Sequence, residues 1–114
     1  MLSACVRMTV EWHVPLGQTR PITIALHSVA ADTRMTRGCV GCSVSTDIGS
    51  RGTVRYVEEW QTEEDLRRRV QSDSFAKLVT LIDDATQPPR IEFALDRETR
   101  GLDFVEEVRK SAFL

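Results

Sequence analysis

An α+β domain, built as an antiparallel sheet with helices on one face, is predicted by three features of the sequence. Several segments alternate between apolar and polar residues, and others carry apolar residues at helical spacing. The two kinds interleave in the order strand, helix, strand, strand, helix, strand.

The first segment, residues 5–14, places Val6, Met8, Val10, Trp12 and Val14 on one face and Arg7, Thr9, Glu11 and His13 on the other, the pattern of a half-buried strand. After the loop "PLGQTRP", residues 22–34 set Ile22, Ala25, Leu26, Val29 and Thr33 at helical spacing, with Pro21 suited to a first turn. Arg37-Gly38 ends that helix, and 39–46 alternates as a second strand. The glycine-rich stretch 47–52 reads as a turn. A third strand, 53–60, puts Val54, Tyr56, Glu58 and Trp60 on one face. Thr62 followed by Asp65 has the spacing of a capping box, and the acidic residues 63–65 suit the positive end of a helix dipole. Leu66 and Val70 continue an apolar stripe, and Ser72-Asp73-Ser74 marks either a break or a second cap. Phe75, Leu78, Val79 and Ile82 then resume the helical period until Pro88-Pro89 stops it. Residues 90–96 form a fourth strand with Ile91, Phe93 and Leu95 inward. In "RGLDFVEEVRK" the helical spacing of Leu102, Val105 and Val108 is preferred over a strand through Leu102 and Phe104.

This order is the split βαβ, or ferredoxin-like, arrangement: a four-stranded antiparallel sheet with two helices on one face. The other face is left to solvent or to a partner, so dimerisation is an expectation of the architecture. One domain spans 1–114, long enough to bury a core without staples. A charged fraction of 28%, a hydrophobic fraction of 41% and a net charge of -2 describe an ordinary globular chain with no basic footprint for nucleic acid. The run Arg67-Arg68-Arg69 is balanced by Glu63-Glu64-Asp65. No apolar stretch is long enough to span a bilayer, and "MLSACVRMTVEWHV" lacks a secretory pattern. Three cysteines are too few for a disulfide scaffold, and a cytoplasmic setting is expected.

The stretch "VRYVEEWQTEEDLRRRVQSDSF" (54–75) resembles the central signature of the antibiotic biosynthesis monooxygenase family: Glu58-x-Trp60, an acidic helix start, then Leu66, Ser72 and Phe75. "RGCVGCSVSTD" resembles the strand that follows its first helix. Such proteins are dimeric α+β barrels in which two ferredoxin-like sheets pack together. The resemblance therefore implies a homodimer formed through the sheet face. Characterised relatives include oxygenases that convert hydroquinones or anthrones to quinones with molecular oxygen and no metal or flavin. Others degrade haem, isomerise signal molecules or have no established activity. Many relatives carry a histidine where Arg69 stands, so no axial haem ligand is evident and haem chemistry ranks low. An asparagine of some quinone-forming members is Tyr56 here. The implied function is cofactor-independent oxygenation of a small quinol, anthrone or polyphenol. The alternative is a binding or stress-response module that holds an aromatic or aldehyde metabolite without turnover. A closed, dry cavity near Trp60 favours the first, and an open groove the second.

Each candidate residue has two readings. Trp60 either stacks on a planar ligand or fills the core at the strand end, and Tyr56 shares its face. Glu58 on that apolar face is either the base that deprotonates a phenol or the partner of an arginine. Arg69, beside Leu66 and Val70, either holds a phenolate or lies on a solvated helix face; the solvated face is the commoner fate. Arg67 and Arg68 are expected at the surface. His27, on the helix that flanks the pocket, is the better placed histidine for acid–base work, although a lone helical histidine is more often a surface residue. Phe75 and Phe93 are core residues by default, with a place in the pocket wall as the second reading of either. His13 belongs to the interface face, and that face, with Arg7, Glu11, Arg55 and Glu59, is polar for a buried contact.

Cys39 and Cys42 are spaced C-x-x-C. A four-cysteine metal site needs a second pair, and only Cys5 is left over; neither His13 nor His27 has ligand spacing. A redox pair usually sits at a helix start, whereas here the pair opens an alternating strand. Residues i and i+3 of a regular strand face apart, so the expectation is two divergent thiols and no metal.

Overall fold

The computed structural model describes residues 5–15, 17–47, 52–85 and 87–111. Alternation forms the strands where it was expected: β1 is Val6–His13, β2 Cys39–Thr46 and β3 Thr53–Trp60. Helix α1, Thr19–Arg34, begins three residues before its apolar stripe, with Pro21 in its first turn, where the missing N–H costs nothing. The turn expected over 47–52 falls mostly on residues 48–51, outside the described ones.

Thr62 caps α2 (Glu63–Gln71): its Oγ1 accepts the Asp65 N–H at 3.1 Å. The Ser72–Ser74 stretch is a true break. Ser72 Oγ donates to the Arg69 carbonyl at 2.6 Å and leaves the helical conformation, and α3 restarts over Phe75–Asp83. Strand β4 is Arg90–Ala94, and helix α4, Leu102–Ser111, resolves the ambiguous last segment as helical.

The sheet order is β2-β3-β1-β4-β5, antiparallel throughout. The first four strands have the ferredoxin-like order. Two corrections apply to the expectation. The sheet has a fifth strand, the two-residue β5 (Thr99–Arg100) pairing with Phe93 and Ala94. Four helices rather than two are described, because the long second helix breaks at Ser72 and α4 is added. β5 is too short to carry an alternation, which is why no pattern announces it.

The core lies between the sheet and the helices. Val6, Met8, Val10 and Trp12 of β1 are almost fully buried against Leu26, Val29 and Ala30 of α1, Leu66 and Val70 of α2, Phe75 and Leu78 of α3, and Phe104 and Val108 of α4. Arg7, Glu11, Arg55 and Glu59 lie on the opposite face, which no described helix covers. No described helix is long and apolar enough to cross a membrane.

A buried carboxylate–guanidinium cluster

Residues at i, i+2 and i+4 of a strand share a face, so β3 presents Tyr56, Glu58 and Trp60 together to the core, each fully buried. A lone carboxylate there would carry a large desolvation cost. The helix above supplies the counter-charge. Leu66, Arg69 and Val70 stand at i, i+3 and i+4 of α2, so the stripe that faces the sheet carries Arg69 with it. Arg69 is only 3% exposed.

Three residues aim donors at the Glu58 carboxylate. Tyr56 Oη donates to Oε2 at 2.5 Å and Trp60 Nε1 to Oε1 at 3.0 Å. Arg69 Nε lies 3.3 Å from both oxygens, and its NH2 donates to Oε2 at 3.1 Å. NH2 also donates to Thr33 Oγ1 of α1 at 3.1 Å, and NH1 to Ser74 Oγ at 2.9 Å. Its carbon sits 5.3 Å above the Phe75 ring, a cation–π contact. Three elements, β3, α1 and α2, and the α2–α3 junction thus converge on one ion pair.

The electrostatics follow from that burial. Burial works against the charge of Arg69, but Glu58 beside it more than offsets this, and the net shift is upward, so the guanidinium stays charged. Tyr56 is pushed well above the usual phenol range by burial first and by the adjacent Glu58 charge second, which keeps it a neutral donor. The cluster is packed tight. A crevice of about 10 Å³ between α1 and α3, lined by Thr33, Arg69, Ser74 and their neighbours, approaches it from the surface, and Asp32 and Lys77 bridge its mouth at 3.6 Å. Trp60 is not among the residues that line this crevice.

Of the candidate residues, Glu58, Arg69, Tyr56, Trp60 and Phe75 come together. The solvated helix face favoured for Arg69 is overturned: the helix turns that residue inward to neutralise Glu58. Phe93 stands apart on β4, beyond β1 from Glu58, with its ring 4.7 Å from that of Phe104. His27 is exposed on α1 and is not drawn into the cluster. Thr33 and Ser74 belong to the site but were not singled out for it. A hydroxyl in an apolar helical stripe and a serine at a helix break were the available signals.

The divergent thiols are corrected too. A bulge between Cys39 and Gly41 shifts the β2–β3 register, so Cys39 faces Trp60 and Cys42 faces Glu58, both on the core side. Burial, then the Glu58 charge, raises Cys39, whose Sγ lies 3.5 Å from the Gly41 carbonyl. Cys42 is pushed up to about 11, first by burial. Both therefore remain thiols near neutral pH and are poor nucleophiles. Among the described residues no group of three or more His, Cys, Asp or Glu side chains could hold a metal ion.

A family model described as antibiotic biosynthesis monooxygenase matches residues 6–81. Among solved structures, a conserved protein from Methanosarcina mazei is similar with a TM-score of 0.71 and 18% identity, over 82% of this chain and 93% of its own. PA3566 from Pseudomonas aeruginosa gives 0.68 at 15% identity, over 86% and 99%. An antibiotic biosynthesis monooxygenase gives 0.64 at 17% identity, over 77% and 94%. At these identities the likeness is one of fold. No curated protein matches the chain.

Proposed function

This chain belongs to the antibiotic biosynthesis monooxygenase family, and from that premise we propose that it is a cytoplasmic homodimer that oxygenates a small quinol, anthrone or polyphenol with molecular oxygen and no cofactor. The observation that carries this reading is the buried Glu58 carboxylate, ringed by Arg69, Tyr56 and Trp60. An anion-handling group inside an otherwise apolar core is what the chemistry needs: a base for an acidic O–H or C–H, and a fixed cation for the anion that results.

In the proposed reaction, α1 and α3 part at the Asp32–Lys77 bridge and admit the aromatic substrate beside Trp60. Glu58 takes the substrate proton, and Arg69 turns from Thr33 and Ser74 to the new phenolate or enolate oxygen. That anion passes one electron to dioxygen, and the two radicals combine to a peroxide. For an anthrone, loss of water leaves the quinone: one oxygen atom becomes the carbonyl, and the other departs with both methylene hydrogens. No external reductant is required. Tyr56 keeps its proton throughout and serves as a donor. Phe75 backs the guanidinium.

Oxygen uptake by the purified, metal-free protein with anthrone and quinol substrates tests the proposal. A rate above the spontaneous background, falling at least about tenfold in Trp60→Ala and Glu58→Gln, is expected. No enzymatic rate, or an unchanged rate in Trp60→Ala, would sink it. One observation favours the second reading, a module that holds an aromatic or aldehyde metabolite without turnover: the polar groups of the cluster are already paired with one another within the protein, the arrangement of a structural ion pair rather than of groups held ready for a substrate. Saturable binding of the same aromatics without oxygen consumption would select that reading.

A further inference from the structure

A second site lies at the other end of the core. A cleft of about 370 Å³ opens between the end of β1, the first turn of α1 and the end of α3, a volume that suits a small molecule. Trp12, Val14, Ile22 and Leu81 form its walls, and Gln18 and Asp84 are its polar residues. Trp12 is fully buried, and its Nε1 is the one buried side-chain nitrogen or oxygen among the described residues with no hydrogen-bond partner. Buried indole N–H groups ordinarily find an acceptor. Trp60, equally buried, finds one in Glu58.

We propose that this cleft binds a neutral, largely apolar small molecule that presents one oxygen acceptor, such as a carbonyl, to Trp12 Nε1. The indole can only donate, so the ligand must accept. Asp84 is the charged residue of the described lining, so a carboxylate ligand would meet a like charge and no counter-ion. Ile22 and Leu81 are half-buried and line the same cleft as Trp12, and a change of rotamer at either would widen the way to the indole edge. The site is separate from the ion pair. Met8 is the β1 residue opposite Glu58, and Trp12 stands four residues further on, about 13 Å along the strand. The proposal therefore stands apart from the oxygenase reading.

Benzophenone and diphenylmethane share two rings and differ by a carbonyl against a methylene, which makes them the probes. The chain has two tryptophans, so a ¹⁵N-labelled sample shows two indole N–H signals, assigned with Trp12→Phe. Benzophenone should move the Trp12 indole signal downfield and bind about tenfold more tightly than diphenylmethane, and Trp12→Phe should bring the two affinities together. Binding of neither compound, equal affinities in the native protein, or movement of the Trp60 signal alone would overturn the proposal. Should Trp12→Phe fail to fold, the native-protein affinity ratio decides, with assignment by backbone-linked spectra.

Discussion

The Glu58–Arg69 pair is where a single side chain decides most. Both members are nearly inaccessible, at 2% and 0% side-chain exposure, so their mutual attraction must first offset two desolvation costs. Removing one member exposes that debt. Arg69→Ala leaves an uncompensated buried carboxylate and is expected to cost about 3–5 kcal/mol in urea unfolding. Glu58→Leu combined with Arg69→Met removes both charges and should recover part of the loss, the Tyr56 and Trp60 donors being left without their acceptor, while ending any oxygenase activity. Recovered stability with lost turnover would separate a chemical role from a structural one; full activity in the double variant would refute the chemical role. The neighbouring phenol gives a second test. Tyr56 is the chain's one tyrosine, so absorbance near 295 nm reports it alone. Its folded-state pKa is raised above the ordinary 10.0, and that of Cys42 rises from 9.0 to about 11. Groups shifted upward lend their full stability below the unfolded pKa and lose it as pH rises, so stability should begin to fall above pH 9 and fall faster above 10. The phenolate signal should appear only as the protein unfolds. A smooth titration near pH 10 in the folded protein would contradict the buried Tyr56–Glu58 hydrogen bond.

At the level of elements, what was legible depended on whether the information was local. The alternation of β3 reads directly because Glu58 has apolar companions at i±2, which place its face whatever its own polarity. The Thr62 cap reads because its partner Asp65 is three residues away. Thr62→Ala should therefore cost about 1 kcal/mol, measured as a lowered urea midpoint at unchanged slope. The partner of Glu58 was not legible: an ion pair was foreseen, but several arginines compete on paper and only the docking of α2 on the sheet selects Arg69. The paired inward thiols escaped for a different reason. A one-residue bulge reverses the phase of every residue before it, and strict alternation has no way to register it. Gly38, just ahead of that bulge, holds φ +90, and a Cβ there would overlap the Asp65 carboxylate at the α2 cap. Gly17 has a similar φ of +89 with open space around it. Gly17→Ala should cost about 1 kcal/mol from backbone strain alone, and Gly38→Ala distinctly more, because cap and strand start must also separate. Equal losses in the two variants would mean that the Gly38–Asp65 approach is unimportant.

For the whole molecule, the open sheet face is the feature that the four described helices leave unexplained. By residue type alone this face is polar for a buried interface. The structure shows how those charges are arranged: Arg55 pairs with Glu11 at 2.8 Å and Arg7 with Glu59 at 3.5 Å, each across neighbouring strands. Arg90 and Glu92 add a third opposite-sign pair at 3.7 Å, so three cations and three anions share the face and cancel. A second copy laid on it across a twofold therefore meets no net like charge, and the long arginine stems offer apolar surface beside Val57. A shallow depression of about 430 Å³, lined by residues that include Arg7, Glu11, Arg55, Val57 and Arg90, leaves room for side chains of the other copy. This balance is compatible with the proposed homodimer, which should be insensitive to moderate salt, since its charges are satisfied within each chain. Light scattering at tens of micromolar should give about twice the chain mass of 12.9 kDa. Val57 lies opposite Thr9 on β1 and Ser43 on β2, near the middle of this face. Val57→Arg adds two like charges close to any twofold axis there without touching the core, so it should yield a folded monomer with an unchanged circular dichroism spectrum. A native protein that runs as a monomer, or a Val57→Arg variant that stays dimeric, would place the partner elsewhere or remove it.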